Sequence, residues 1–215
     1  MDALRAAQAV AVAGLVVGTG GLVVQWRATV RLAVPPDRAP PRGEVARGVL
    51  YAFTAGMAPS AKESTRLHRW AYLRGLGFHA AVFGAVLAVA AWPLWPAVPP
   101  VVRGGWAAAL ALGAVLAGLG TVMRLREPAL RSLSTPDDHA AVGLVTAFLA
   151  ATAAALWTPA AAPAMFVVAG ILAAYIPFGK IRHCLYFFPA RRAFGRFVGR
   201  RGVLPHLAPH TGARP

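Results

Sequence analysis

The sequence predicts an all-α integral membrane protein, a bundle of five transmembrane helices. Three observations carry this prediction. The 215 residues are 58% hydrophobic and 13% charged, with a mean hydropathy of +0.57, whereas soluble domains carry roughly a quarter charged residues. Several stretches are apolar over about 20 residues, the length that a helix needs to cross about 30 Å of hydrocarbon. The basic residues are gathered in the segments between these stretches.

The five predicted spans follow one another in a single domain over residues 1–205. The first is interpreted as a retained span, because its apolar run is too long for a cleaved signal and its n-region side chains carry no net positive charge. A long uncharged run later in the chain is divided in two by Thr158-Pro159 and Pro163. The spans cover about 6–26, 75–94, 104–123, 140–157 and 164–183.

The segments outside the spans are predicted from composition. A Pro-rich stretch, 35–41, reads as a loop, and 45–57 reads as a short interfacial helix. The tail at 206–215, with His206 and His210, is expected to be disordered. Small residues at helical spacing, Gly14 and Gly18 among them, favour close helix packing over ligand binding.

Positive charge predicts the orientation in the membrane. Of the 22 basic residues, 20 fall after spans one, three and five, on one side of the bilayer, and only Arg5 and Arg103 fall on the other. Because cytoplasmic loops are enriched in Lys and Arg, we expect the N-terminus outside and the C-terminus inside a multi-pass protein of the cytoplasmic membrane. The same asymmetry accounts for the net charge of +15, so nucleic acid is not an expected partner.

Cysteine and histidine limit the possible chemistry. A single cysteine, Cys184, excludes a disulfide framework and any iron–sulfur cluster held by this chain alone. Histidines cluster near the predicted cytoplasmic span ends, at His68, His79 and His183, with His139 a weaker candidate. Ionisable residues inside a membrane are functional candidates by default, and two imidazoles on facing helices can hold a haem iron.

The spacing of two histidines favours this chemistry. His68 and His79 are 11 residues apart, which on one continuous helix would place them on the same side, about 16 Å apart along the axis. The alternative is that His68 is a wetted interfacial residue and His79 a hydrogen-bonded packing residue. For His139 a capping or surface role is favoured, with Asp137 or Asp138 expected as the helix N-cap.

Two motifs resemble those of a known family. The stretch from Lys62 to His68 followed by Phe78-His79, and the stretch from Gly179 to Phe188 with the closing Gly- and Arg-rich segment, are similar to relatives of the respiratory nitrate reductase gamma subunit. The resemblance is greater to the wider branch, which includes haem b subunits paired with heterodisulfide-reductase-like iron–sulfur proteins. It covers roughly residues 5–204.

The resemblance implies a membrane cytochrome b subunit. Such a subunit relays electrons between a quinol or quinone pool and the iron–sulfur subunit of a respiratory oxidoreductase on the cytoplasmic side, and it is not catalytic alone. It implies haem b, one or two, with His68 and His183 as one pair of ligands. By proximity to these ligands, three arginines could hold the haem propionates, namely Arg66, Arg69 and Arg182. The quinone site is not identified.

The sequence departs from the family pattern in the fifth span. The partner of His79 would lie near Leu172, which cannot ligate iron. Within residues 164–182, only Met165 has a side chain that could serve as an axial ligand. His79 could instead pair with His183 or His139. The rival function is a haem-free membrane anchor or small transporter, in which the histidines are packing or protonation sites.

The basic C-terminal segment gives two further hypotheses. Five arginines between residues 191 and 201 alternate with Phe194 and Phe197. An anchor on anionic lipid would account for the charge, whereas the aromatic residues favour a protein interface. The sequence therefore also predicts that an electron-carrying partner docks beside His183.

The orientation can be tested with reporter fusions. A reporter active only in the periplasm, fused after Pro215, is expected to be inactive, because the C-terminus lies on the positively charged side. The complementary reporter, which works only in the cytoplasm, is expected to be active at the same position. Periplasmic activity at Pro215 would reverse the predicted orientation.

Overall fold

The structure of the protein is a computed structural model, which describes residues 2–32, 37–61 and 63–203. The part of the chain so described contains α-helices and short 3-10 turns and no β-strand. The loop prediction for 35–41 falls partly, and the tail prediction for 206–215 wholly, outside these residues. The helices are α1 (Asp2–Val30), α2 (Val45–Phe53), α3 (Glu63–Leu67), α4 (Arg69–Ala90), α5 (Pro100–Arg126), α6 (Pro128–Leu133), α7 (Pro136–Trp157), α8 (Ala162–Tyr175) and α9 (His183–Arg201).

Four helices are long and apolar enough to cross a membrane. They are α1, α4, α5 and α7, with 29, 22, 27 and 22 residues, and they correspond to the first four predicted spans. The all-α membrane bundle is thereby confirmed, with a fifth span only if α8 and the helical segment that follows its break are counted together. The short helix predicted within 45–57 is present as α2.

The fifth predicted span, 164–183, is not one continuous helix. α8 ends at Tyr175 after 14 residues, about 21 Å at 1.5 Å per residue, which is shorter than the bilayer core. Pro177, which has no backbone N–H to continue the helix, is fully buried in the break. A Cβ at Gly179 would lie 2.2 Å from the ring of Tyr175, so any larger residue at this position would require the Tyr175 side chain to move.

Two bonds fix the segment that follows α8 against the start of α7. The Tyr175 hydroxyl donates to the Asp137 carboxylate, and Lys180 Nζ lies 2.5 Å from Asp138 Oδ2. Asp138 also accepts from the backbone N–H of Thr135 at 2.8 Å. The first turn of α7 therefore anchors the chain on both sides of the break.

The chain divides into two compact units. The bundle unit comprises Met1–Trp26 and Leu73–Arg182, and the hairpin unit comprises Arg27–Tyr72 and His183–Pro215. Within the bundle unit the core is rich in alanine. Ala85 and Ala88 of α4 are fully buried, in one cluster with Leu110 of α5 and Leu149 of α7. Small side chains on α4 allow its neighbours to approach closely.

Glycine contacts bring α1 against α8 within the bundle unit. A Cβ at Gly14 would lie 2.0 Å from the carbonyl oxygen of Gly170, and one at Gly18 would lie 2.3 Å from that of Ala173. No side chain fits between the two backbones at these points. The sequence prediction that Gly14 and Gly18 serve helix packing is confirmed.

Glycine contacts of the same kind join α2 and α9 in the hairpin unit. A Cβ at Gly48 would lie 2.2 Å from the carbonyl oxygen of Gly195 and 2.4 Å from the Cα of Gly199. The α2 residue next to this contact, Ala52, is fully buried, and so nearly is Val198 of α9. The two helices are thus joined backbone to backbone, although 147 residues separate Gly48 from Gly195.

The glycine contact of α1 predicts a difference between two substitutions on one helix. Gly14→Ala forces α1 away from α8, an overpacking that we expect to cost about 1–3 kcal/mol. Gly20→Ala meets nothing within 4 Å and is expected to be neutral or slightly stabilising, because alanine has the higher helix propensity. Thermal unfolding of both variants in one detergent tests this. Equal midpoints for the two variants would contradict the packing described.

Candidate functional site

His68 lies in the hairpin unit, in a break between two helices. α3 ends at Leu67 and α4 begins at Arg69, so the continuous helix assumed for His68 and His79 is interrupted at His68. Its carbonyl oxygen accepts from the N–H of Tyr72 at 3.1 Å, and its imidazole is exposed. The expected alignment of the two imidazoles along one helix therefore does not follow from the structure.

His79 lies within α4 in the bundle unit. Its Nδ1 is 2.7 Å from the carbonyl oxygen of Gly75, and its ring meets that of Phe78 edge to face at 5.4 Å. Nε2 is therefore the nitrogen that could coordinate a metal, because a metal-binding histidine commonly gives its other nitrogen to a carbonyl. The residue is exposed, and it lies roughly 160° around α4 from the buried Ala81 at 3.6 residues per turn.

His139 is half-buried near the start of α7. The helix is capped differently from the prediction. Its N-cap is Thr135, and Asp138 is the third helical residue, whose carboxylate reaches back to the Thr135 hydroxyl at 2.9 Å. The prediction of Asp137 or Asp138 as N-cap is wrong because Thr135, followed by Pro136 at the first helical position, forms a capping box with Asp138.

His183 is the first residue of α9 and is exposed, as is Cys184 beside it. The following turn is anchored within the hairpin unit by aromatic contacts. Phe53 of α2 stacks on Phe188 with ring centroids 6.2 Å apart and meets Phe187 edge-on at 6.5 Å. These contacts fix the backbone that carries His183.

The four candidate histidines are divided between the two units. His68 and His183 belong to the hairpin unit, whereas His79 and His139 belong to the bundle unit. Among the residues described, no three or more His, Cys, Asp or Glu side chains are grouped to hold a metal ion. A haem iron needs only two axial imidazoles, so that result does not bear on haem.

The three arginines predicted near the propionates are all exposed. Arg66 and Arg69 flank His68 in the hairpin unit, and Arg182 is the last residue of the bundle unit. Arg66 and Arg69 thus share a unit with His68 and His183.

Most of the basic residues of α9 bind the hairpin unit itself. Arg191 donates to the carbonyl oxygen of Ala52, Arg200 donates to that of Ala39 at 3.0 Å, and Arg201 pairs with Asp37 at 2.9 Å. These partners were not visible in the sequence, because they lie 139 to 164 residues away.

Two arginines remain exposed on α9. Arg192 and Arg196 make no hydrogen bond or ion pair within the described ranges. They are one helical turn apart and so share one side of the helix. A docking surface for a partner would therefore have these two cations, rather than all five, to offer.

A large apolar groove in the bundle unit was not predicted from the sequence. It has a volume of about 720 Å³ and lies between α1, α4, α7 and α8. Leu15, Trp92, Phe166 and Ile176 are among its walls, and Gln8 supplies the one side-chain amide. No charged motif marks such a groove, because it arises from the packing of apolar helices.

Comparison with known proteins gave no relative. No protein-family model, no curated protein and no solved structure matches the chain.

The contact between Asp37 and Arg201 predicts that the stability of the hairpin unit depends on pH. The hydrogen bond from Arg201, with a second from the N–H of Ala39, holds the pKa of Asp37 below its ordinary value near 3.8. Because the folded-state pKa is the lower one, the contact contributes to stability above about pH 4 and is lost as the pH falls through the lowered pKa.

Asp37→Asn is expected to remove this contact at neutral pH. The protection factors of the amides of residues 38–43, measured relative to an unfolded chain at the same pH, should fall at pH 7 in the variant, whereas in the unmodified chain they should fall only in acid. Glu44→Gln, in the same segment and without a side-chain capping bond, is the control and should leave exchange unchanged. Unaltered exchange in Asp37→Asn would show that the ion pair does not hold the loop.

Proposed function

We propose that this chain is a membrane cytochrome b subunit that relays electrons between a quinol pool and an iron–sulfur subunit at the cytoplasmic face. The observation that carries the proposal is that His68 and His183, the two histidines implied as a ligand pair, are exposed imidazoles of one compact unit. The resemblance of the motifs around them is the second support.

The donor chemistry fits a haem iron. Imidazole is a usual axial ligand, and bound haem b supplies one-electron redox chemistry. His68 and His183 would be its ligands, with Arg66 and Arg69 as cations for the propionates. His79, oriented by the Gly75 carbonyl, would be the ligand of a second haem, and His139 is the weaker alternative in the same unit.

In this proposal, the apolar groove of the bundle unit binds the quinone, and the exposed arginines of α9 bind the iron–sulfur subunit. The groove between α1, α4, α7 and α8 offers a large apolar space of the kind that a quinone requires, with Gln8 as a hydrogen-bonding group. Arg192 and Arg196 give the cytoplasmic side a compact cationic surface for an acidic electron-carrying subunit. The chain does no group transfer alone in this proposal.

Haem content tests the ligand pair. We expect the purified chain to show a Soret band, and His183→Ala to halve or abolish haem per protein, because one axial ligand is lost. A pyridine haemochrome assay measures this, with His206→Ala, outside the described residues, as the matched control. Unchanged haem in His183→Ala would remove the preferred ligand.

The same measurement distinguishes the proposed function from the rival function. A well-folded chain with no Soret band would favour the haem-free anchor or transporter, in which the histidines serve packing or protonation.

A further inference from the structure

We propose that one side of α9 lies in the lipid interface of the membrane, and that this surface consists of Ala190, Phe194 and Phe197. These three residues, the aromatic stripe, are all exposed, and Phe194 and Phe197 have 43% and 47% of their surface accessible. They follow one another at intervals of four and three residues, the spacing of one helix side. The proposal does not depend on haem.

The three sides of α9 are chemically distinct. Gly195, Val198 and Gly199 are buried against α2. At 3.6 residues per turn, the exposed Arg192 and Arg196 lie roughly 100–160° around the helix from the two phenylalanines. The aromatic stripe therefore lies on a side of α9 that does not pack against α2, and this side is distinct from the one that carries Arg192 and Arg196.

Cations border the stripe in fixed positions. The guanidinium carbon of Arg191 lies 5.4 Å from the ring centre of Phe194, and that of Arg201 lies 4.2 Å from the ring centre of Phe197. Both arginines are also tied to the hairpin unit, through Ala52 and Asp37. Rings beside cations are the composition expected at the level of lipid headgroups, where anionic phosphates meet acyl chains.

The connection of α9 to the bundle favours lipid over a separate protein. Only seven residues separate the end of the apolar helix α8 from His183, so the chain limits how far the start of α9 can lie from a membrane that holds α8. α9 contains no acidic residue, so nothing on it repels anionic headgroups. Its five arginines are too costly to bury in hydrocarbon, and a helix of this kind lies along a membrane surface.

Site-directed fluorescence on the full chain tests the proposal. In a Cys184→Ser background, Ala190→Cys places an environment-sensitive label on the stripe, and Arg196→Cys places it on the exposed basic side, about 120° around the helix, as the matched control. The chain is reconstituted alone in nanodiscs of phosphatidylcholine and phosphatidylglycerol. Quenchers attached to the lipid are expected to reduce the signal at position 190 at least twofold more than at position 196, and aqueous iodide should do the reverse.

A further substitution distinguishes lipid contact from a folding defect. Phe194→Ser with Phe197→Ser should abolish the lipid quenching at position 190, while thermal unfolding and haem content remain those of the parent. Equal quenching at positions 190 and 196 in nanodiscs would overturn the proposal. Protection of position 190 that arises only when a protein partner is added would overturn it as well, and would assign the stripe to that partner.

Discussion

The structure depends on the contact of one helix backbone with another at glycine. In a bilayer, apolar side chains gain little by leaving lipid for one another, so helix association rests on close packing and on interhelical polar contacts. Gly14 and Gly18 allow α1 to reach α8, and Gly48 with Gly195 and Gly199 allows α2 to reach α9. The alanines of α4 serve the same end, since a small side chain costs little space at a crossing. Each of the two units is therefore held by the residues with the least side chain.

Charge has two separate uses in the hairpin unit. The arginines of α9 predict an orientation in the membrane, yet most of them donate to Asp37, Ala39 and Ala52 within the same unit. Arginine suits this use because its guanidinium stays charged and carries several donors in a fixed plane. The backbone N–H groups of Arg42 and Gly43 complete the closure by donating to the last turn of α9, at the carbonyl oxygen of Arg200. The remaining cations are the ones left for lipid or a partner.

The sequence predicted much of the membrane architecture, because the length of an apolar span is a local property of the chain. Four spans, the helix α2 and the packing role of Gly14 and Gly18 all follow from residues close together in the chain. The break after Tyr175 was missed because the prediction followed the absence of charge, and Pro177 and Gly179 are uncharged. The break at His68 has no equally clear local signal. The N-cap prediction fell on Asp137 or Asp138 rather than on Thr135, although Thr135 and Asp138 have the three-residue spacing of a capping box.

The candidate site was less predictable for a physical reason. Which histidines share a unit depends on contacts between segments more than 100 residues apart, and so do the partners of Arg200 and Arg201. Such contacts leave no trace in periodicity or composition. The exposure of His79 is of the same kind, since helical spacing shows which residues share a side but not which side the neighbours cover.

The long separation between the two halves of the hairpin unit has a consequence for biogenesis. α2 leaves the ribosome well before α9, and the 129 residues between Phe53 and His183 take on the order of 10 s to translate at 5–20 residues per second. During that interval Gly48 and Ala52 have no α9 to cover them, while the later spans are still being inserted. The nascent chain thus waits with an open helix surface at the membrane, and this unit can assemble only after α9 has been synthesised.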